Sequence, residues 1–202
     1  MSIIYPPKLY VDFRTGLLVY LDKSFYSKTE ADKLYAELTE NVVFAAESFI
    51  KIYGKQIKIP RKQVAYGDPG TTYSFSGMTV NSKPWIPTIQ RIKKDVEYMT
   101  GLNFNFCLVN KYDDGTNYIG YHKDDEADLG TYVNIASVSF GAERKFYFKS
   151  DDPNVPIVKM ALNPGSMCVM LHPTNLYFKH SVPKELRVKN CRINLTFRYV
   201  HL

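Results

Sequence analysis

Beyond Gly101 the chain turns to short alternating runs. Phe104, Phe106, Leu108, Asn110 and Tyr112 fall on one face of an extended segment, with Asn105, Cys107, Val109 and Lys111 on the other, because side chains alternate across a strand. Further runs follow at 133–140, 145–149, 155–161, 166–170 and 191–200, separated by Gly141, Pro153, Pro156, Pro164 with Gly165, Pro173 and Pro183. Such punctuation limits each run to one strand. Many short strands behind a helical first half predict an α+β fold: an antiparallel barrel or jelly roll with helices outside one sheet. Two helices are expected. Ser27 and Glu30 form a capping box before Ala31, Leu34, Tyr35 and Leu38, which predicts a helix over about 28–40. A second begins near Pro84–Pro87, carries Ile89, Ile92, Val96 and Met99 on one stripe, and stops at Gly101. Pro6 and Pro7 make the first fifteen residues an extended arm or short strands, and 41–83 is turn-rich.

At 202 residues, 45% of them hydrophobic, the chain suits one domain with a continuous core. Its 16 Tyr and 12 Phe exclude a disordered chain. Twenty-six Lys and Arg against 20 Asp and Glu give a net charge of +6, compatible with a polyanionic partner without requiring one. Cys107, Cys168 and Cys191 share no metal-ligand spacing, and an odd thiol remains if two pair. A reducing, intracellular setting is the simpler expectation, with a nucleus open to it if the source is eukaryotic. The first twenty residues do not read as a secretory leader, and no apolar window is long enough to span a membrane.

His122 and Asp124, in Tyr121-His-Lys-Asp-Asp-Glu126, are separated by one residue and share a side if locally extended. Two imidazoles and a carboxylate on one face of a divalent ion would leave adjacent positions open, as an iron oxygenase requires; zinc would accept the same donors, and His-x-Asp alone also suits a polar turn. By spacing alone the second imidazole could come from His172, His180 or His201. In the last strand Arg192, Asn194, Thr196 and Arg198 share one face and Ile193, Leu195, Phe197 and Tyr199 the other. Two interior guanidiniums would need carboxylates or a bound acid as partners. A half-exposed strand with solvated arginines is the competing reading.

From about Ile50 to Tyr199 the sequence resembles the AlkB-like iron- and 2-oxoglutarate-dependent dioxygenases, and within them the vertebrate-type branch that repairs alkylated double-stranded DNA. The matching segments are Pro60-Arg-Lys-Gln-Val-Ala-Tyr-Gly-Asp68, Thr72-Tyr-Ser-Phe-Ser-Gly77, Lys83-Pro-Trp-Ile-Pro87, Asn103-Phe-Asn105, Tyr121–Glu126, Ala136-Ser-Val-Ser-Phe-Gly141, His172-Pro-Thr-Asn175, His180-Ser181 and Arg192-Ile-Asn-Leu-Thr-Phe-Arg198. The resemblance implies a double-stranded β-helix, a form of jelly roll, with external supporting helices and a nucleotide-recognition lid. It divides one catalytic domain, 1–202, into an N-terminal arm and supporting helix (1–48), the lid with the second helix (49–100) and the catalytic core (101–202). His122, Asp124 and His180 match the family's Fe(II) ligands. Asn110, Tyr112, Arg192, Asn194, Thr196 and Arg198 match the surroundings of 2-oxoglutarate, with Arg192 at its C5 carboxylate and Arg198 near its other end. His172 and His201 have no liganding counterpart.

The implied reaction consumes O2 and 2-oxoglutarate, yields succinate and carbon dioxide, and removes an N-methyl group from 1-methyladenine or 3-methylcytosine as formaldehyde. A stacked base cannot reach a buried iron, so a duplex substrate must present it extrahelically. Tyr73, Phe75 and Ser76 match the base pocket, while Asp125 and Glu126 are candidates for reading the substrate or organising arginines. Tyr53 occupies the place of the intercalating hairpin residue, where it could fill the gap left by a flipped base. Lys51, Lys55, Lys58, Arg61 and Lys62 beside it, and Lys179, Lys184, Arg187 and Lys189 near the distal ligand, are candidate phosphate contacts. Glu185 and Leu186 interrupt the family's more continuous basic run. The partner expected is alkylated DNA, double-stranded first, with single-stranded DNA or RNA as the alternative; the protein itself is expected to be a monomer. A lesion-binding protein without catalysis and a soluble-metabolite hydroxylase are the readings from other classes.

Overall fold

The structure, a computed structural model, describes residues 8–12, 14–47, 49–52, 54–75 and 78–201. In chain order they form β1 (Lys8–Asp12), β2 (Leu17–Asp22), α1 (Lys28–Asn41), β3 (Phe49–Ile52), β4 (Lys55–Lys58), β5 (Lys62–Gly67), β6 (Thr72–Phe75), β7 (Met78–Asn81), α2 (Pro87–Thr100), β8 (Phe106–Tyr112), β9 (Ile119–His122), β10 (Ile135–Gly141), β11 (Arg144–Ser150), β12 (Val158–Leu162), β13 (Met167–Met170), α3 (Thr174–Tyr177), β14 (Phe178–Val182) and β15 (Arg192–Arg198). The larger sheet has seven strands in the order β1-β2-β13-β10-β15-β8-β5, the smaller four in the order β12-β11-β14-β9. Two separate hairpins, β3–β4 and β6–β7, complete the α+β architecture. Among the described residues neither sheet closes into a barrel, so the expected barrel or jelly roll is seen as two facing sheets.

The helices start and stop largely where their sequence signals lie. The Ser27 hydroxyl accepts the Glu30 amide at 3.2 Å, which satisfies one free N–H of the first turn. Glu30 itself pairs with Arg91 of α2 at 2.6 Å, so its carboxylate joins the two helices. Helix α2 ends at Gly101, whose φ of 69° is left-handed and favours glycine. Ile89, Ile92 and Val96 are buried as their spacing predicts, whereas Met99 in the last turn is half-exposed.

Burial occurs in layers. Leu34 and Leu38 of α1 and Ile89, Ile92 and Val96 of α2 pack with Cys107, Val109, Val138, Phe140, Ile193, Leu195 and Phe197 on the outer face of the larger sheet. Its inner face contributes Leu17, Val19, Leu21, Ile135, Cys168 and Met170 to a second cluster with Phe146, Phe148, Met160, Leu162, Phe178 and Val182 of the smaller sheet. Strand β15 is therefore covered on both sides, and its polar row faces inward rather than toward water. Register fixes the neighbours of that row: Arg192 lies opposite Tyr112 and Asn194 opposite Asn110 on β8, while Asn194 and Thr196 lie opposite Ser139 and Ser137 on β10. The N-terminal hairpin β1–β2 joins the same sheet through β13. All three cysteines are free, and no helix among the described residues is long and apolar enough to cross a membrane.

Candidate metal centre

His122 ends β9, Asp124 lies two residues later, and His180 is in β14. The antiparallel pairing of these strands sets His122 directly against His180, with ring centroids 4.2 Å apart. One ligand atom from each of His122, Asp124 and His180 lies within 4.8 Å of the others. His172 and His201 do not join them: the His172 ring meets Tyr132, and that of His201 meets Tyr199.

Each donor is held in a ligating state. His122 Nδ1 is 2.9 Å from the Gly120 carbonyl; a carbonyl only accepts, so Nδ1 carries the hydrogen and Nε2 keeps its lone pair toward Asp124, 3.8 Å away. Burial pushes the His180 imidazole down to about 3, leaving it neutral near pH 7. For Asp124 burial opposes ionisation, but Arg198, His180 and His122 together hold the carboxyl well below the usual range. Arg198 donates to Asp124 Oδ2 at 2.7 Å, which leaves Oδ1 on the side of His122. Two neutral imidazoles and one carboxylate on one side of a point suit Fe(II) and leave further coordination positions free.

A cavity of about 520 Å³ opens on this cluster. Asn110, Tyr112, Asn194, Thr196 and Arg198 line it together with Arg61, Gln63, Tyr73 and Glu126. Arg192 is fully buried, donates to Ser139 Oγ at 2.9 Å and lies 5.3 Å from the centre of the Tyr112 ring. Among the described residues its Nε and Nη1 make no close hydrogen bond. Burial lowers its pKa only to about 10, so the group stays charged. A buried guanidinium with donors to spare fits the carboxylate of a bound acid, and so the residues fit 2-oxoglutarate as well as iron. Asn194 Nδ2 is tied to Ser137 Oγ at 2.7 Å and to the Val138 carbonyl at 2.9 Å, while Asn110 Oδ1 accepts from Arg61 and Gln63 at 3.2 and 2.8 Å.

Residues 18–198 match the 2OG-Fe(II) oxygenase superfamily. The chain is a 2OG-Fe(II) oxygenase. Human DNA oxidative demethylase ALKBH2 is 45% identical over 186 residues, which cover 88% of this chain and 71% of that protein. The Mus musculus protein of that name is 44% identical over 184 residues, 87% of this chain and 77% of its own. Human alpha-ketoglutarate-dependent dioxygenase alkB homolog 3 is 34% identical over 194 residues, 91% and 66% of the two chains. These relatives place the oxygenase in the AlkB-like group, on its ALKBH2-type branch. In fold it is similar to the structure of OsALKBH1, with a TM-score of 0.67 at 16% identity over 96% of this chain and all of that one. A Trichoplax adhaerens prolyl hydroxylase in complex with a hypoxia inducible factor peptide gives 0.61 at 12% identity, over 90% and 83% of the two chains.

The other expected site residues of the oxygenase are distributed unevenly. Tyr73 donates to Glu126 at 2.6 Å, and its ring lies 5.6 Å from the Arg198 guanidinium. Asp125 is exposed and does not line the cavity; it is Asp128 that meets β6, accepting the Ser74 amide at 2.9 Å. Arg61 sits against Asn110 in the lining of the cavity, to which Lys58 also contributes. Lys62 pairs with Asp113 at 3.1 Å, Lys58 pairs with Glu47, and Lys179 is 3.8 Å from Asp151. Lys184 lies 4.7 Å from the Tyr118 ring centre. Lys55, Arg187 and Lys189 are exposed. Tyr53 and Ser76, and the side chains of Lys51 and Phe75, lie outside the described residues.

Two structural groups escaped the sequence reading. Arg144 is fully buried and donates to Glu185 at 3.1 Å and to the carbonyls of Asp114, Asn117 and Pro183 at 3.2, 2.9 and 2.7 Å. Glu185, which reads as a break in a basic surface, is its counter-charge. Gly115 passes so near that a Cβ there would fall 1.8 Å from the Glu185 carbonyl oxygen. The other is Asn175, buried against the Asp124 backbone. Position within the matched His172–Asn175 segment was the one available signal for it.

Proposed function

We propose that this oxygenase removes N-linked methyl groups from 1-methyladenine and 3-methylcytosine in DNA, duplex DNA in the first instance, releasing formaldehyde as 2-oxoglutarate becomes succinate and carbon dioxide. The observation that carries this reading is a continuous chain of contacts, Asp124–Arg198–Tyr73–Glu126. It joins a metal ligand to a lid strand across one cavity, where a flat base would stand beside the metal. The names of the ALKBH2 relatives point to the same chemistry. On this reading the two sheets are the superfamily's double-stranded β-helix, the β3–β7 region is the nucleotide-recognition lid, and residues 1–48, 49–100 and 101–202 are the arm, lid and core of a single, monomeric domain.

Bound Fe(II) with 2-oxoglutarate and O2 would supply the oxidising power of this superfamily. The protein's part is placement. His122, Asp124 and His180 would hold the metal; Arg192, with Tyr112, Asn110 and Asn194, would hold the far carboxylate of the acid. Thr196 would complete the chamber wall, and Arg198 would fix the Asp124 carboxylate near the reacting end. Tyr73, with Phe75 and Ser76, would stack and align the extruded base, and Glu126 would face its polar edge. Burial raises the Glu126 pKa, while the Tyr73 hydroxyl donates to its carboxylate. Tyr53 would wedge the duplex, while Lys51, Lys55, Lys184, Arg187 and Lys189 would contact phosphates.

The test is a set of parallel reactions with Fe(II), 2-oxoglutarate and O2 on methylated duplex DNA, single-stranded DNA, RNA and unmodified controls, with restored bases read by mass spectrometry. Restoration fastest in the methylated duplex supports the reading. Restoration confined to single strands or RNA reassigns the substrate. Succinate formation with no restored base on any nucleic acid is uncoupled turnover and overturns it.

A further inference from the structure

We infer that Asn175 is the positioning residue for the metal carboxylate: its side-chain amide brackets the Asp124 peptide and sets where that carboxylate points. The inference rests on His122, Asp124 and His180 being the metal ligands. Asp124 N–H donates to Asn175 Oδ1 at 3.1 Å, and Asn175 Nδ2 donates to the Asp124 carbonyl. Both backbone groups of one residue are thus satisfied by one side chain. Asn175 is buried, so no water competes for these bonds, and only a primary amide offers an acceptor and a donor side by side at this reach. Asp124 belongs to no helix or strand. Without such a partner its peptide has no ladder to hold it.

The surroundings make Asn175 a rigid anchor. The preceding Thr174 hydroxyl donates to the Leu18 carbonyl at 2.9 Å and accepts the Leu18 amide at 2.7 Å, which pins α3 to β2. Lys123 donates to the Leu176 carbonyl and, at 2.6 Å, to Asp151, so the residue before Asp124 is held to the same short helix. Helix α3 runs directly into β14, which carries His180. One segment, Thr174–His180, therefore supplies the third ligand and grips the backbone of the second. Arg198 fixes the Asp124 carboxylate from its far oxygen, and Asn175 fixes the main chain beneath it. Groups of this kind behind a ligand change metal affinity roughly ten- to hundredfold when removed.

The decisive experiment titrates Co(II) into metal-free protein and follows its visible absorption, without substrate or turnover. Four variants are compared with the parent: N175A, the isosteric N175D, D124A, and L34A as a destabilised control whose change lies in the α1 core. N175A should bind Co(II) roughly tenfold or more weakly with an altered band shape. N175D, which keeps the acceptor for the Asp124 amide but loses the donor to its carbonyl, should fall between N175A and the parent. L34A should bind as the parent does, because lost stability alone does not move a ligand. Parent-like affinity and spectrum in N175A, or in N175D should N175A fail to fold, overturns the role of Asn175. Undiminished Co(II) binding in D124A overturns instead the ligand assignment on which the role rests.

Discussion

His122 and His180 are direct partners across the β9–β14 pairing, with ring centroids 4.2 Å apart. That pairing selects the third donor from three candidate histidines, a choice no sequence spacing contains. It also joins the metal site to the stability of the smaller sheet, because two of the three ligands, His122 and His180, form a rung of its ladder.

Arg192→Leu should weaken 2-oxoglutarate binding roughly ten- to hundredfold, the range expected when charge-assisted hydrogen bonds are lost. Calorimetric titration of 2-oxoglutarate into Mn(II)-loaded protein measures it, with DNA affinity as the unaffected control. R198L is the comparator: its loss should appear mainly in metal affinity, since Arg198 holds Asp124. An unchanged dissociation constant in R192L would require a different anchor for the acid.

Glu185→Ala should destabilise the fold by about 3–5 kcal/mol, because it strands the buried Arg144 charge. Glu185→Gln should be milder, since its amide oxygen still accepts a hydrogen bond. Chemical denaturation of metal-free protein reads both. A stability change in E185A within about 0.5 kcal/mol, as at an ordinary surface position, would mean that this ion pair does not hold the 183–188 loop.

Acid should unfold the metal-free protein for an identifiable reason. Burial holds His180 at about 3, against an ordinary value of 6.5, and pushes His122 down as well. Between those limits the unfolded chain binds protons that the folded chain refuses, so this stability is present above about 6.5 and is lost as pH falls toward 3. Asp124, held below its usual range, adds a further loss below 3.8. Denaturation midpoints in chelator from pH 7.5 to 4 should decline, and less steeply in H180N, whose side chain does not titrate. Identical slopes for the two proteins would contradict this origin.

Tyr53→Ala should impair a methylated base in an intact duplex more than the same base in a flexible single strand, where less stacking must be broken. Tyr53→Phe should keep most activity if the ring fills the gap. Single-turnover rates on matched oligonucleotides at one ionic strength separate extrusion from binding. Equal proportional losses on both substrates would assign Tyr53 a general role.

Alternation made the polar row Arg192, Asn194, Thr196 and Arg198 visible in the sequence, because a strand's period is independent of what surrounds it. That the row is interior was not visible: helices cover one face of β15 and the smaller sheet the other, and both contacts are remote in sequence. Ser27 and Gly101 marked helix ends through local hydrogen bonds and a local dihedral, so they were legible. The burial of Arg144 against Glu185 was not visible, since the carbonyls that satisfy Arg144 come from two distant loops. Asn175 was hidden for the same reason. Its partner is the backbone of Asp124, and a backbone partner leaves no mark in the sequence.

The measurement that tests the central claim most directly is the product balance of one anaerobically assembled reaction, protein with Fe(II), 2-oxoglutarate and 3-methylcytosine duplex, after addition of O2. Succinate, formaldehyde and restored cytosine should appear in equal amounts for the parent protein, and none of the three should rise above background for D124A while its duplex binding persists. Succinate without restored cytosine in the parent, or full turnover in D124A, would contradict a demethylase built on His122, Asp124 and His180.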